Sequence, residues 1–141
     1  MTQNPFVGVW KLISCEFRNS DGHVSYPYGK GATGYIMYNE GGYMSVAIMN
    51  ADRPGFDAGD LFRGTDEEKV AAASTYLSYC GRYDILENKV IHHIEVSLFP
   101  NWVGTDQVRN FEFDGDRLTL STDPFLAHGL QQSGHLIWKR A

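Results

Sequence analysis

The two ends of this chain have the character of matched strands. Gly8-Val9-Trp10 opens the first apolar run, and Leu136-Ile137-Trp138-Lys139-Arg140 closes the last. Between them lie further short runs of alternating apolar and polar residues, separated by turn signals, which is the pattern of antiparallel strands with one buried face. First and last strands of like character can pair and close the sheet on itself. Closure removes the sheet edges and creates an interior, and eight strands enclose room for about one small ligand.

Residues 8–17 alternate, with Trp10, Leu12, Ser14 and Glu16 on one face and Val9, Lys11, Ile13, Cys15 and Phe17 on the other. Asn19-Ser20-Asp21-Gly22 is a turn, and Tyr26-Pro27-Tyr28-Gly29 reads as a rigid loop. Strands at 34–39 and 43–49 are joined by the hairpin Asn39-Glu40-Gly41-Gly42, and Met44, Val46 and Ile48 form the apolar face of the second. An irregular loop over 50–64 leads to Thr65-Asp66-Glu67-Glu68. This capping box starts a helix expected to run to about Tyr79. Loop and helix together make an insert of ~30 residues, suited to a lid.

Strands resume at 81–86 and 90–98, where Val90, His92, Ile94, Val96 and Leu98 are expected inside and Ile91, His93, Glu95 and Ser97 outside. Residues 107–113 place Arg109, Phe111 and Phe113 on one side, and strands at 117–121 and 134–140 complete the set. The expected fold is all-β: an eight-stranded, up-and-down antiparallel barrel with one inserted helix at about 65–79, one domain over residues 1–141. A sandwich of the same strands, without a central cavity, is the alternative.

Charge and cysteine content narrow the function. The formal net charge is −5 and the densest cationic stretch is Lys139-Arg140, which is no footprint for nucleic acid. No apolar run approaches the ~18 residues that span a membrane. Met1-Thr2-Gln3-Asn4-Pro5 lacks the basic and apolar regions of a secretory signal, and Cys15 and Cys80 form no disulfide framework, so a cytoplasmic protein is expected. Oligomeric state has no signal in the sequence.

Eight Tyr, eight Phe and three Trp are a high aromatic share; strand and core composition of an all-β protein explains most of these rings, and rings also suit ligand pockets. Strand parity puts Glu16, His92 and Arg109 on interior faces. In an apolar cavity Glu16 would act as acid or base, His92 would shuttle a proton, and Arg109 would clamp a carboxylate or enolate oxygen. The alternative is that the three pair with one another to fill a polar pocket. Tyr38, Met44, Val46, Tyr83, His92, Trp102, Arg109 and Phe111 are the expected ligand-binding residues. His92-His93-x-Glu95 invites a metal reading, but neighbouring strand residues face opposite ways, so no metal and no cofactor are expected. Ser133-Gly134 lacks a nucleophile-elbow context, and the glycines near Gly29–Gly34 precede a strand and not a helix.

The wider pattern resembles a known family. Gly8-x-Trp10-x-Leu12, Tyr26-Pro27-x-Gly29, Gly34-Tyr35-Ile36-Met37-Tyr38, Gly42-Tyr43-Met44-Ser45, Gly81-x-Tyr83, Val90-x-His92, Gln107-x-Arg109 and Leu118-Thr119-Leu120 are similar to the microbial lipocalin-like domains, nearly end to end. The resemblance implies a closed calycin-type barrel whose base is sealed by Trp10 and a late arginine, Arg140, with the helical insert over the mouth. Related barrels serve as carriers in some cases and as isomerases, cyclases or lyases in others. The primary expectation is therefore a barrel that holds a small apolar molecule, aromatic or carboxylated. A cofactor-free isomerase, cyclase or lyase using Glu16, His92 and Arg109 is the second, and a filled barrel serving as an interaction module the third.

Overall fold

The computed structural model describes residues 3–141; Met1 and Thr2, the first residues of the expected domain, lie outside the described residues. The elements are β1 (Gly8–Asn19), β2 (Val24–Ser25), β3 (Thr33–Tyr38), β4 (Tyr43–Met49), α1 (Asp66–Ser74), β5 (Tyr76–Leu86), β6 (Lys89–Ser97), a 3-10 turn (Pro100–Trp102), β7 (Asp106–Asp114), β8 (Arg117–Ser121), β9 (Phe125–Ala127) and β10 (Leu130–Arg140). They form one antiparallel sheet in the order β2-β1-β3-β4-β5-β6-β7-β8-β10-β9, and β1 also pairs with β10. That last ladder runs from Trp10 opposite Arg140 to Asn19 opposite Gln132, so the matched ends do close the barrel. The eight expected strands are its staves. The short β2 and β9 are rim additions that pair with the ends of β1 and β10.

The capping box forms as its residues require: the Thr65 hydroxyl accepts from the Glu68 N–H at 3.1 Å, and the Glu68 carboxylate accepts from the Thr65 N–H at 2.8 Å. The helix is shorter than expected, ending at Ser74. Tyr76 to Tyr79, expected in its last turn, instead begin β5, because Leu77 and Tyr79 alternate inward opposite Ile48 and Val46 of β4. Burial against a neighbouring strand outweighs the weak helical preference of a Tyr-Leu-Ser-Tyr run. The helix itself has no buried residue. Arg53 ties it down, donating to the Ala72 carbonyl at 3.0 Å and to the Thr75 hydroxyl at 3.1 Å beside the helix C-terminus.

Two irregularities reset strand parity. In β1, Leu12 opposes Trp138 but Ser14 opposes Ile137, so Ile13 is an extra residue that bulges outward. Beyond it Cys15 and Phe17 face inward, and Glu16 outward. Between β5 and β6, Cys80 pairs with Val96 but Gly81 with Ile94, which makes Glu95 the extra residue and leaves Val96 63% exposed. Val96 therefore departs from the expected inward set. Gly81 is required here because a Cβ on it would lie 1.9 Å from the His93 carbonyl oxygen. Gly81→Ala should cost about 3 kcal/mol in urea unfolding, since a backbone atom and not a flexible side chain must give way.

The closed end of the barrel is a cluster of rings. Arg140 lies over Trp10, 4.2 Å from the ring centroid, and its guanidinium donates to the carbonyls of Val7 and Pro5 at 3.1 and 2.7 Å. It thus holds the preceding segment across the base. That segment delivers Phe6, which is fully buried, with its ring centroid 4.9 Å from each of Tyr38, Phe111 and Phe113. The Trp10 indole N–H closes the arrangement by donating to the Phe6 carbonyl at 2.9 Å.

Candidate functional site

Above this base the barrel opens into a cavity of about 870 Å³. Its walls are mostly aliphatic and aromatic, with Phe17, Ile36, Val46, Leu120 and Leu136 among them. The mouth is rimmed by Tyr28, by Ala73 and Ser74 at the end of the helix, by Phe99 and Trp102 about the 3-10 turn, and by Phe125. The volume falls within the range of small-molecule pockets, about 300–1,000 Å³.

One polar chain crosses the floor. His92 on β6 is fully buried, and both ring nitrogens are engaged. Its Nε2 lies 2.7 Å from the Tyr38 hydroxyl on β3, and its Nδ1 lies 2.7 Å from the Tyr79 hydroxyl on β5. Burial is the main reason its pKa is held well below the usual imidazole value, and the Arg109 charge adds to the effect. The same burial raises both phenols. His92 is thus neutral, with one nitrogen donating and the other accepting.

Arg109 on β7 is the cation of this cavity. Its guanidinium lies 6.0 Å from the centroid of the Trp102 ring, and its charge opposes the burial that raises the Tyr79 phenol. Tyr79 and Trp102 meet edge to face at 5.7 Å, so Arg109 sits against an aromatic wall. Among the described residues its hydrogen bond is to the Val108 carbonyl, at 3.2 Å, and no carboxylate pairs with it.

The expected site residues separate into three groups. Val46, His92, Trp102 and Arg109 line the cavity. Tyr38, Met44, Tyr83 and Phe111 do not: they pack below it in the base, where Phe6 fills the space between them. Tyr83 is held there by donating to the Asn39 carbonyl at 2.8 Å and accepting from the Asn4 amide at 2.9 Å. Glu16 is on the outer face, ion-paired with Arg18, because the bulge at Ile13 reverses the parity on which its interior position depended. The expected trio of Glu16, His92 and Arg109 is therefore not assembled. Tyr79 and Trp138, both cavity residues, were not among the expected positions. For Tyr79 the inward alternation of Leu77, Tyr79 and Tyr83 was the available signal, hidden by extending the helix across it.

His93 points the other way from its neighbour. Its two nitrogens lie 2.7 Å from Asp106 and 2.7 Å from Asp84. Hydrogen bonds to these two carboxylates, Asp106 first, raise its pKa. The adjacent histidines therefore shape stability in opposite senses about the unfolded value of 6.5. As pH falls below 6.5 the unfolded chain takes up a proton at His92 that the folded state refuses, so stability declines. His135, lowered by burial and by Arg18, adds to this acid limb. The His93 contribution is complete below 6.5 and is lost as pH rises through its folded value, although solvent screening at this exposed site makes that limb shallow. Unfolding free energy should peak near neutrality. His92→Gln should flatten the acid limb, whose limiting slope is about 1.4 kcal/mol per pH unit per proton. Asp106→Asn should flatten the alkaline one. Urea titrations between pH 5.5 and 8 check both.

Comparison with known proteins fits this architecture. A crystal structure of a lipocalin-like protein from Bacteroides uniformis superposes with a TM-score of 0.51 at 11% identity, covering 98% of this chain and all of that one, which is a likeness of fold. In sequence, the 4'-hydroxy-3'-methoxypropiophenone carrier protein ppsC of Aspergillus oryzae is 38% identical over 106 residues, 69% of this chain and 96% of its own length. Residues 7–141, from the segment that carries Phe6 across the base to the last residue after β10, match the lipocalin-like domain, and the chain belongs to that family.

Proposed function

We propose that this protein is a carrier that holds one small aromatic molecule, apolar in body and with an oxygen-bearing end, in the barrel cavity. The observation that carries the reading is Arg109, a guanidinium inside an aromatic-walled cavity with no carboxylate partner among the described residues. Such a charge is costly to desolvate and is compensated when a ligand oxygen meets it. The name of the Aspergillus relative, a carrier of a hydroxylated, methoxylated aryl ketone, supports a ligand of that size and polarity. Carriage is favoured over turnover because the acid–base trio Glu16, His92 and Arg109 is not assembled at the cavity. Both His92 nitrogens are occupied, and Glu16 lies outside. The cytoplasm is the proposed compartment, supported by two free cysteines, Cys15 in the cavity wall and Cys80 on β5, that do not pair.

The test is native mass spectrometry with tryptophan-fluorescence titration against 4'-hydroxy-3'-methoxypropiophenone, 2-naphthoate and naphthalene. One-to-one binding, with quenching of the cavity residues Trp102 and Trp138, is the expected result. Failure of all three to bind would remove the carrier reading.

A further inference from the structure

We infer that the buried chain Tyr38–His92–Tyr79 has a single proton order, which frees the Tyr79 hydroxyl to donate into the cavity beside Arg109 and selects aromatic ligands whose buried end presents only acceptor oxygens, a carboxylate foremost. The inference rests on the carrier reading for its ligand, but the proton order stands on geometry alone.

The order follows from what surrounds Tyr38. A neutral imidazole donates through one nitrogen and accepts through the other, so two arrangements are available. In the first, His92 Nε2–H donates to Tyr38, and the Tyr38 O–H must find another acceptor. There is none among the described residues: the one hydrogen bond of Tyr38 is to His92, and its ring is packed against Phe6 at 4.9 Å and Tyr83 at 4.8 Å, out of the cavity. A buried hydroxyl proton without a partner is an expensive group. In the second arrangement Tyr38 donates to Nε2, and His92 Nδ1–H donates to Tyr79. Tyr79 lines the cavity, so its own proton is then directed where a ligand would sit. The first arrangement seals an unpartnered proton in the packed base, whereas the second leaves the unpartnered one on Tyr79, at the cavity wall.

Arg109 reinforces this. Its positive charge acts on the Tyr79 hydroxyl, opposing the burial that raises that phenol's pKa. An oxygen that accepts from His92 in the field of a nearby guanidinium is polarised, and its O–H is a stronger donor for it. A second observation points the same way from the opposite wall. Trp138 on β10 lines the cavity, and its buried indole N–H has no hydrogen-bond partner. In a ring of eight staves β5 and β10 lie four apart, so Tyr79 and Trp138 come from facing sides. Tyr79 and Trp138 thus each bring a buried donor, without a protein acceptor among the described residues, to facing sides of the barrel.

The experiment combines nitrogen NMR of His92 with binding of matched probes to the full chain. Nitrogen-15 shifts and long-range proton couplings should show the Nδ1–H tautomer. 2-Naphthoate should bind more tightly than 2-naphthylmethylammonium, which offers only donors. Tyr79→Phe should weaken 2-naphthoate by roughly 10- to 100-fold, leaving naphthalene unchanged. An Nε2–H tautomer, equal affinity for the carboxylate and the ammonium, or a Tyr79→Phe variant that keeps its naphthoate affinity would each overturn the inference. Should the tautomer be Nδ1–H while no aromatic probe binds, the carrier reading fails and the proton order remains.

Discussion

Arg109→Met is expected to weaken binding of 2-naphthoate by about 100-fold and at the same time to raise the unfolding free energy by about 1 kcal/mol. The two effects share one cause. In the ligand-free protein the guanidinium has lost part of its water and gains only the Val108 carbonyl and the Trp102 ring in return. Methionine has comparable length, fills the same space and carries no charge to desolvate. The ligand, however, loses the charge-assisted contact that pays for its own desolvation. Isothermal titration and urea unfolding on the same preparation measure both quantities. A fall in stability together with binding would mean that Arg109 serves the architecture and not the ligand.

Phe6→Ala is expected to cost about 3–5 kcal/mol, the range for removing a fully buried aromatic side chain. The ring has no exposed surface, and its neighbours Tyr38 on β3 and Phe111 and Phe113 on β7 are fixed in the barrel wall, so they cannot collapse into the space. The residual void would lie beneath Tyr38, at the foot of the polar chain. The loss should be largest in the unfolding midpoint, read by circular dichroism. A loss below about 1 kcal/mol would show that the segment before β1 is dispensable to the base.

These two residues differ in how they could be found. Arg109 was legible: alternation along 107–113 puts it with Phe111 and Phe113, and β7 has no bulge to disturb that parity. Phe6 precedes the first strand and belongs to no periodic pattern, so nothing in the sequence marks it as the plug of the base. Its position depends on Arg140, 134 residues on, gripping the carbonyls of Val7 and Pro5. Once Phe6 is there, the base is full. Tyr38, Met44, Tyr83 and Phe111, all inward by parity and so expected to meet a ligand, become packing beneath the cavity.

By itself the sequence determined the number of barrel strands, the closure of the first on the last, and the capped helix between the third and fourth of them. These features follow from local rules, a period of two, turn chemistry and a capping box, which act over a few residues and are written in them. Tertiary structure alone decided which side chains reach the cavity and at what depth. Parity carries along a strand only until an extra residue enters the ladder, and whether one enters depends on how the partner strand fits. The bulge at Ile13 turned Glu16 to solvent and brought Cys15 and Phe17 inside. The irregularity at Gly81 left Val96 outside. Tyr79 became a cavity residue because pairing with β4 drew it out of the helix, and His92 could share its two nitrogens between Tyr38 and Tyr79 only once three strands had brought them together.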